Sequence, residues 1–431
     1  MSGGMKILPE FPPVQGTIIK EMTKGWEQKA PGLLYIATQQ VPQEKRRCHI
    51  AADFDEIIDR KSTSSEKWER YRDKDIIPLW VADMDFRSPQ PIIDALQKRV
   101  DHGIFGYTRP LQGLSEAVIG HLENEYDWSI EEDWIVWLPG LVTGLNLACR
   151  AVGDDGDDVL SAIPVYPPFL TAPRNSLRNL VTTHLVEDGD RWVFDFADME
   201  RAISPRTRLF LFCNPHNPVG RAFSREELSS IADLCQRHRL FICSDEIHAG
   251  LILDKDKKHI PIASLSTEIA SRTITLLAPS KTFNTPGLGC ALAVIPDPGL
   301  RGRFLQAMAG IVPSVNALGF TAALAAYRDC GAWHRELLEY LRGNRDLVRQ
   351  AISGMQGLSM HNPEATYLAW IDTRKSALHD PPSFFEQAGV GLSRGSDFGD
   401  PGFVRLNFGC PRPLLREALD RMAAACNSSV S

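Results

Sequence analysis

From about residue 130 the chain alternates short apolar, β-branched or aromatic runs with stretches of helical spacing. That alternation is the pattern of βαβ units, and so of a largely parallel sheet, because a parallel neighbour can be reached only through a crossover long enough to hold a helix. The clearest unit spans 208–244. Arg-Leu-Phe-Leu-Phe-Cys at 208–213 predicts a buried strand, and the Pro-rich stretch 214–220 predicts a turn. Ser224 with Glu227 predicts a capping box opening a helix, on which Leu228, Ile231, Leu234 and Cys235 share one face. Residues 240–243, 273–278, 289–295 and 134–138 predict further strands. Beyond them Trp333, Leu337, Leu341, Asn344, Val348 and Ile352 recur at helical spacing, followed by strands at 367–371 and 403–408. This second block predicts a smaller α/β domain. The expected organisation is an N-terminal arm over 1–52, a segment 53–105 joining the small domain, a large domain over 106–330 and a small domain over 331–431.

At 431 residues the chain can bury a large core, and 43% hydrophobic with 23% charged residues excludes disorder as its main state. A formal charge of −7 without a long block of either sign offers nothing to nucleic acid or anionic lipid. No run approaches the length of a membrane span, and Glu10 with nearby prolines interrupts any secretion signal. The 9 cysteines form no Cys-x-x-Cys pair. Free thiols in a reducing compartment, the cytoplasm, are the expectation. No Gly-x-Ser-x-Gly elbow, His-Glu-x-x-His or clustered metal spacing occurs, so no metal site is expected; Gly287 and Gly289 lack the third glycine of a dinucleotide fingerprint.

In open α/β sheets ligands sit outside the carboxyl ends of the strands. Asn217, Asp245 and Lys281 each follow a predicted strand, at separations of about one crossover. An amide, a carboxylate and an amine meeting there suit pyridoxal phosphate: the amine forms the Schiff base, the carboxylate keeps the pyridine nitrogen protonated, and the amide donates to the ring phenolate. Any one of these residues alone would be read as a solvated surface group; together, at crossover spacing, they reverse that reading.

Ser280-Lys-Thr-Phe-Asn284, Asn214-Pro-His-Asn-Pro-Val-Gly220 and Ser244-Asp-Glu-Ile-His248 resemble the fold-type-I pyridoxal phosphate enzymes of the class I/II aminotransferase superfamily. Trp80-Val-Ala-Asp-Met-Asp-Phe86, Phe105-Gly-Tyr-Thr108 and Val404-Arg-Leu-Asn-Phe-Gly-Cys410 resemble its cystathionine β-lyase (C–S lyase) branch. The resemblance runs from about Asp53 to the C-terminus. It implies Lys281 as Schiff-base lysine and Cα base, Asp245 on the pyridinium and Asn217 on the phenolate oxygen. It further implies Tyr166 stacked on the ring, the backbone of Leu141, Val142 and Thr143 with Ser280 on the phosphate, and Arg405 on the substrate carboxylate. Tyr107 would reach across a homodimer interface to the partner's phosphate, His248 would make a cofactor contact, and Asp83 would lie near the substrate entrance.

This chain departs from the wider superfamily in having His248 where aminotransferases usually place a tyrosine, as the lyase branch does, and Gly289 in place of a phosphate-binding arginine; it departs from the branch in having Thr143-Gly144 in the phosphate turn. The implied reaction is β-elimination from L-cystathionine or another cysteine S-conjugate to a thiol, pyruvate and ammonia. The alternatives are an aminotransferase, a tailoring enzyme acting on a bulky cysteine conjugate, and an interaction protein with vestigial catalysis.

Overall fold

Successive strand residues face opposite sides of a sheet, so a strand covered on both faces reads as a continuous apolar run. The computed structural model describes residues 52–428, which leaves most of the expected arm, with Cys48, outside the described residues. In chain order its strands are β1 (Ile77–Pro78), β2 (Ile135–Leu138), β3 (Asp158–Ile163), β4 (Asn179–Asp188), β5 (Arg191–Phe194), β6 (Thr207–Cys213), β7 (Phe241–Asp245), β8 (Thr273–Leu277), β9 (Ala291–Val294), β10 (Leu368–Asp372), β11 (Val390–Gly391), β12 (Ser393–Arg394) and β13 (Phe403–Asn407).

One sheet has the order β2-β9-β8-β7-β6-β3-β4-β5. Its middle, from β8 through β7, β6 and β3 to β4, is parallel, and only the β2–β9, β9–β8 and β4–β5 pairs are antiparallel. The expected mostly parallel α/β sheet is present. In β6, Leu209, Leu211 and Cys213 pack on one face and Phe210 and Phe212 on the other, each face closed by helices. Fully burying one such side chain contributes about 1.5–3 kcal/mol. The helix Arg225–Arg237 opens with the reciprocal Ser224–Glu227 capping box and buries Leu228, Ile231, Leu234 and Cys235.

The apolar pattern does not announce β3, β4 or β5. Strand β4 is a half-exposed strand whose Thr182, His184, Glu187 and Asp188 mask its pairing potential, and β3 begins on a buried aspartate, Asp158, held by Ser204 and Asn179.

A second sheet, β10-β13-β12, is antiparallel. Over it lies the helix Gly331–Ser353, whose buried face is Trp333, Leu337, Leu341, Asn344, Val348 and Ile352, as the spacing predicts. Phe54, Leu79, Met84 and Ile92 share this core, and β1 pairs with β11.

The parallel middle places the carboxyl ends of β6, β7 and β8 side by side, with Cys213 opposite Asp245 and Asp245 opposite Leu276. Among the described residues no helix is long and apolar enough to cross a membrane, and no disulfide forms.

Candidate active site

A cavity of about 240 Å³ opens at these strand ends, lined by Lys281, Asp245, Asn217, Tyr166, His248, Ser280, Arg405, Leu141 and Val142 among others. Most of the residues singled out in the sequence therefore meet in one place. Thr143 lies one residue further into the helix Leu141–Ala151 and does not line the cavity. Tyr107 is fully exposed and lines no part of it. Asp83 also stands outside the lining, its carboxylate paired with Arg60 at 2.6 Å and its Oδ1 buried without a partner.

Asp245, at the end of β7, is buried and accepts from the Ile247 N–H at 3.1 Å. Burial, with Glu246 beside it, raises its carboxyl to about 7 against the opposing pull of that N–H and of Lys281. Lys281 follows β8 and donates through Nζ to the Ala82 carbonyl at 2.5 Å. Burial, aided by Arg405 and opposed by Asp83 and Asp245, lowers its amine to about 8. A lysine so tuned has an appreciable unprotonated fraction near neutral pH, as a base requires.

Arg405 lies in β13, the central strand of the second sheet, and is 4% exposed. Its Nη1 donates to Asn217 Oδ1 at 3.0 Å and its Nη2 to the Trp80 carbonyl at 2.7 Å, while its plane lies 4.6 Å from the Phe398 ring centroid. Burial lowers it to about 10, still cationic at neutral pH. Its Nε is buried without a partner, as is Nδ1 of His248, whose imidazole burial and the nearby Lys281 and Arg405 push down to about 3. A neutral His248 and two unpaired nitrogens describe a site built to receive polar groups it does not itself contain.

The helix Leu141–Ala151 begins at Gly140 with no side-chain cap, so its first N–H groups face the cavity end unsatisfied, the arrangement that holds a phosphate. Two departures now have causes. Gly289 has φ +60°, and a Cβ there would lie 3.1 Å from the Pro139 carbonyl, so an arginine at this position would be strained against the phosphate turn. Gly144 lets that helix pack directly on β8: a Cβ would meet Leu276 at 2.8 Å.

A strap over the cavity, residues 80–86, was not readable as such. Ala82 O accepts from both Lys281 and the Tyr367 hydroxyl. Asn407 donates to the Val81 and Asp83 carbonyls, and Asn284 pairs with Met84 and Phe86. Asp85 is buried against Lys67 and Arg60, both at 2.6 Å. The only sequence signal for these roles is that Asn284 and Asn407 are polar residues inside otherwise apolar motifs.

An amine, a buried carboxylate, an amide, an aromatic face and free helix N–H groups around one cavity fit pyridoxal 5′-phosphate. The family model for aminotransferases of class I and II matches residues 74–422. Cystathionine beta-lyase PatB of Bacillus subtilis is 38% identical over 385 residues, covering 86% of this chain and 99% of that protein. The crystal structure of OvoB matches with a TM-score of 0.86 at 48% identity, over 87% of this chain and 99% of that one. Cystalysin of Treponema denticola, whose crystal structure contains pyridoxal 5′-phosphate, matches with a TM-score of 0.85 at 31% identity, over 88% of this chain and 100% of that one.

Proposed function

The chain belongs to the aminotransferase class I and II family and is a pyridoxal phosphate-dependent carbon–sulfur lyase, and we propose that it performs β-elimination on L-cystathionine or another cysteine S-conjugate, releasing a thiol, pyruvate and ammonia. The observation that carries this reading is the convergence of Lys281, Asp245, Asn217 and Arg405 on one cavity. When bound, the cofactor supplies an electron sink for the charge left on Cα.

The protein's own residues do the rest. Arg405 holds the substrate carboxylate through its guanidinium fork. Lys281 Nζ takes the Cα proton once it is free to do so, and its lowered affinity for protons suits that task. Asp245, buried and lining the cavity, would hold a proton on the ring nitrogen, and Asn217 would donate to the phenolate oxygen. Tyr166 would cover the ring, while Ser280 and the helix N–H groups beginning at Leu141 and Val142, with that of Thr143 one residue further in, would hold the phosphate. His248, neutral, offers its ring nitrogens to the cofactor. Asp83 lies at the substrate entrance.

Elimination rather than transamination is supported by the names of the relatives and by His248. A homodimer in which Tyr107 reaches the partner's cofactor is supported by the full exposure of Tyr107 beside exposed Ile104 and Phe105. A cytoplasmic location is part of the same reading. So is a division in which 53–105 acts with 331–431 against 106–330, supported by the shared core of Phe54, Leu79 and Met84 with Trp333 and Leu337.

The test is acceptor dependence. Turnover of a cysteine S-conjugate without any 2-oxo acid is expected; turnover that needs one, with pyridoxamine phosphate accumulating, would move the assignment to an aminotransferase.

A further inference from the structure

Asp245 is the last residue of β7 and Glu246 the residue after it, and the two face different cavities. Asp245 lines the cavity of Lys281, whereas Glu246 lines a second cavity of about 20 Å³ that borders it at Ile247 and Ala278. Glu246 is 1% exposed and carries hydrogen bonds from Ser244 Oγ at 2.7 Å, His259 Nε2 at 2.7 Å and the Ile262 N–H at 3.3 Å. Three donors on one carboxyl are the pattern of an anion. His259 is as deeply buried, and its Nδ1 has no partner. One ring nitrogen of His259 thus faces the Glu246 carboxylate while the other is buried and bare.

Among the described residues, no lysine or arginine lines the small cavity with Glu246. Around the small cavity, burial lowers His121 to about 4 and lowers His334, and raises Tyr126 and Tyr327, so all four are neutral near pH 7. Tyr126 stands edge-on to His259 with ring centroids 5.1 Å apart. Outside His259, Lys257 is paired with Glu364 at 2.7 Å, and Glu125, Asp254, Lys258 and Arg342 line an open cleft. On the far side of Asp245 lie Lys281, Tyr166 and Cys213.

We propose that Glu246 is a positioning residue that acts through Asp245: its buried negative charge strengthens the hold of Asp245 and the cofactor's ring nitrogen on the proton they share. A negative charge one residue away, in a low-dielectric interior, favours every protonated form on the cavity side. The upward push that Glu246 exerts on Asp245 has this sign. Ser244, His259 and the Ile262 N–H keep that charge buried.

This inference rests on the cofactor reading, and the two fail separately. In Glu246→Gln, loaded with pyridoxal phosphate and shown folded by circular dichroism, the pH midpoint of the cofactor's visible absorbance should fall by about half to one unit. His259→Phe, which removes one of the three donors, should shift the midpoint the same way by less. In cofactor-free protein the infrared carboxyl band of Asp245, identified by its loss in Asp245→Asn, should disappear at lower pH in Glu246→Gln than in the parent. If the dyad only braces the loop to the strand, both variants melt at lower temperature with unmoved midpoints, and the proposal is overturned. If no variant, nor the parent, shows a cofactor band, the cofactor reading fails, and the infrared titration alone decides for or against Glu246.

Discussion

Arg405 donates through Nη1 to the side-chain oxygen of Asn217 across 3.0 Å, so the residue proposed to grip the substrate and the residue proposed to hold the cofactor share a hydrogen bond. The guanidinium is held from its other end by the Trp80 carbonyl and sits against Phe398. Lysine can reproduce the charge but not this planar set of contacts. Arg405→Lys is expected to lower kcat/KM for the amino acid by about 100-fold, roughly the 1.5–3 kcal/mol of a charged hydrogen bond. The cofactor's absorbance should be unchanged, and steady-state kinetics beside a spectrum check both halves.

Asp245 makes a prediction with a sign. Its folded carboxyl titrates at about 7, above the ordinary 3.8, so in cofactor-free protein its favourable contribution is complete at acid pH and is lost as pH rises through 7. Asp245→Asn should therefore melt a few degrees higher than the parent at pH 8 without cofactor, a gap that closes toward pH 4. The same variant should hold pyridoxal phosphate far more weakly. Thermal melts across pH, with and without cofactor, measure both effects; a variant less stable than the parent at pH 8 would contradict the burial argument.

Lys281 should stand out chemically. With its amine near 8, in cofactor-free protein it should react with an amine-specific reagent along a titration centred near pH 8, well below exposed lysines. Peptide mass mapping of the labelled protein reads this directly. Lys281→Ala should lose the visible absorbance of the lysine-bound cofactor and all measurable turnover.

Tyr107 is tested by mixing. If it serves the partner's site, Lys281→Ala and Tyr107→Ala subunits, each inactive or nearly so alone, should form heterodimers with one intact site. Equal mixing would then restore about a quarter of the parent's activity, since about half the dimers are mixed and each has one working site. Because the side chain is exposed in the single chain, Tyr107→Ala should leave the fold intact.

The buried Lys67–Asp85 pair secures the strap that carries Ala82. Removing one partner leaves the other charge buried and uncompensated, which costs about 3–5 kcal/mol. Asp85→Ala should show that loss in chemical denaturation, together with a reduced kcat.

What could be read from the chain, and what could not, divides along physical lines. Strands β6, β7 and β8 are apolar runs, each followed by a polar residue at crossover distance, so the meeting of Asn217, Asp245 and Lys281 in one cavity was readable. The amphipathic face of the helix Gly331–Ser353 was readable to the residue, because helical periodicity is local. The half-exposed β4, where polar and apolar residues mix, hides from the same rule. The strap is hidden for another reason. Its contacts are backbone carbonyls of Trp80 and Ala82 meeting side chains some 200 to 325 positions away, and a carbonyl leaves no signature in a sequence. Glu246 and His259 stand 13 positions apart, yet only the fold shows that both side chains are buried against each other.

The most direct measurement is to mix purified, cofactor-loaded protein with L-cystathionine, and in parallel with an S-alkyl cysteine, in the absence of any 2-oxo acid, and to quantify pyruvate and free thiol. Equimolar pyruvate and thiol, sustained over many turnovers, is the expected result. No pyruvate or thiol from either substrate, with the cofactor converted once to its pyridoxamine form, would contradict β-elimination as the reaction of this site.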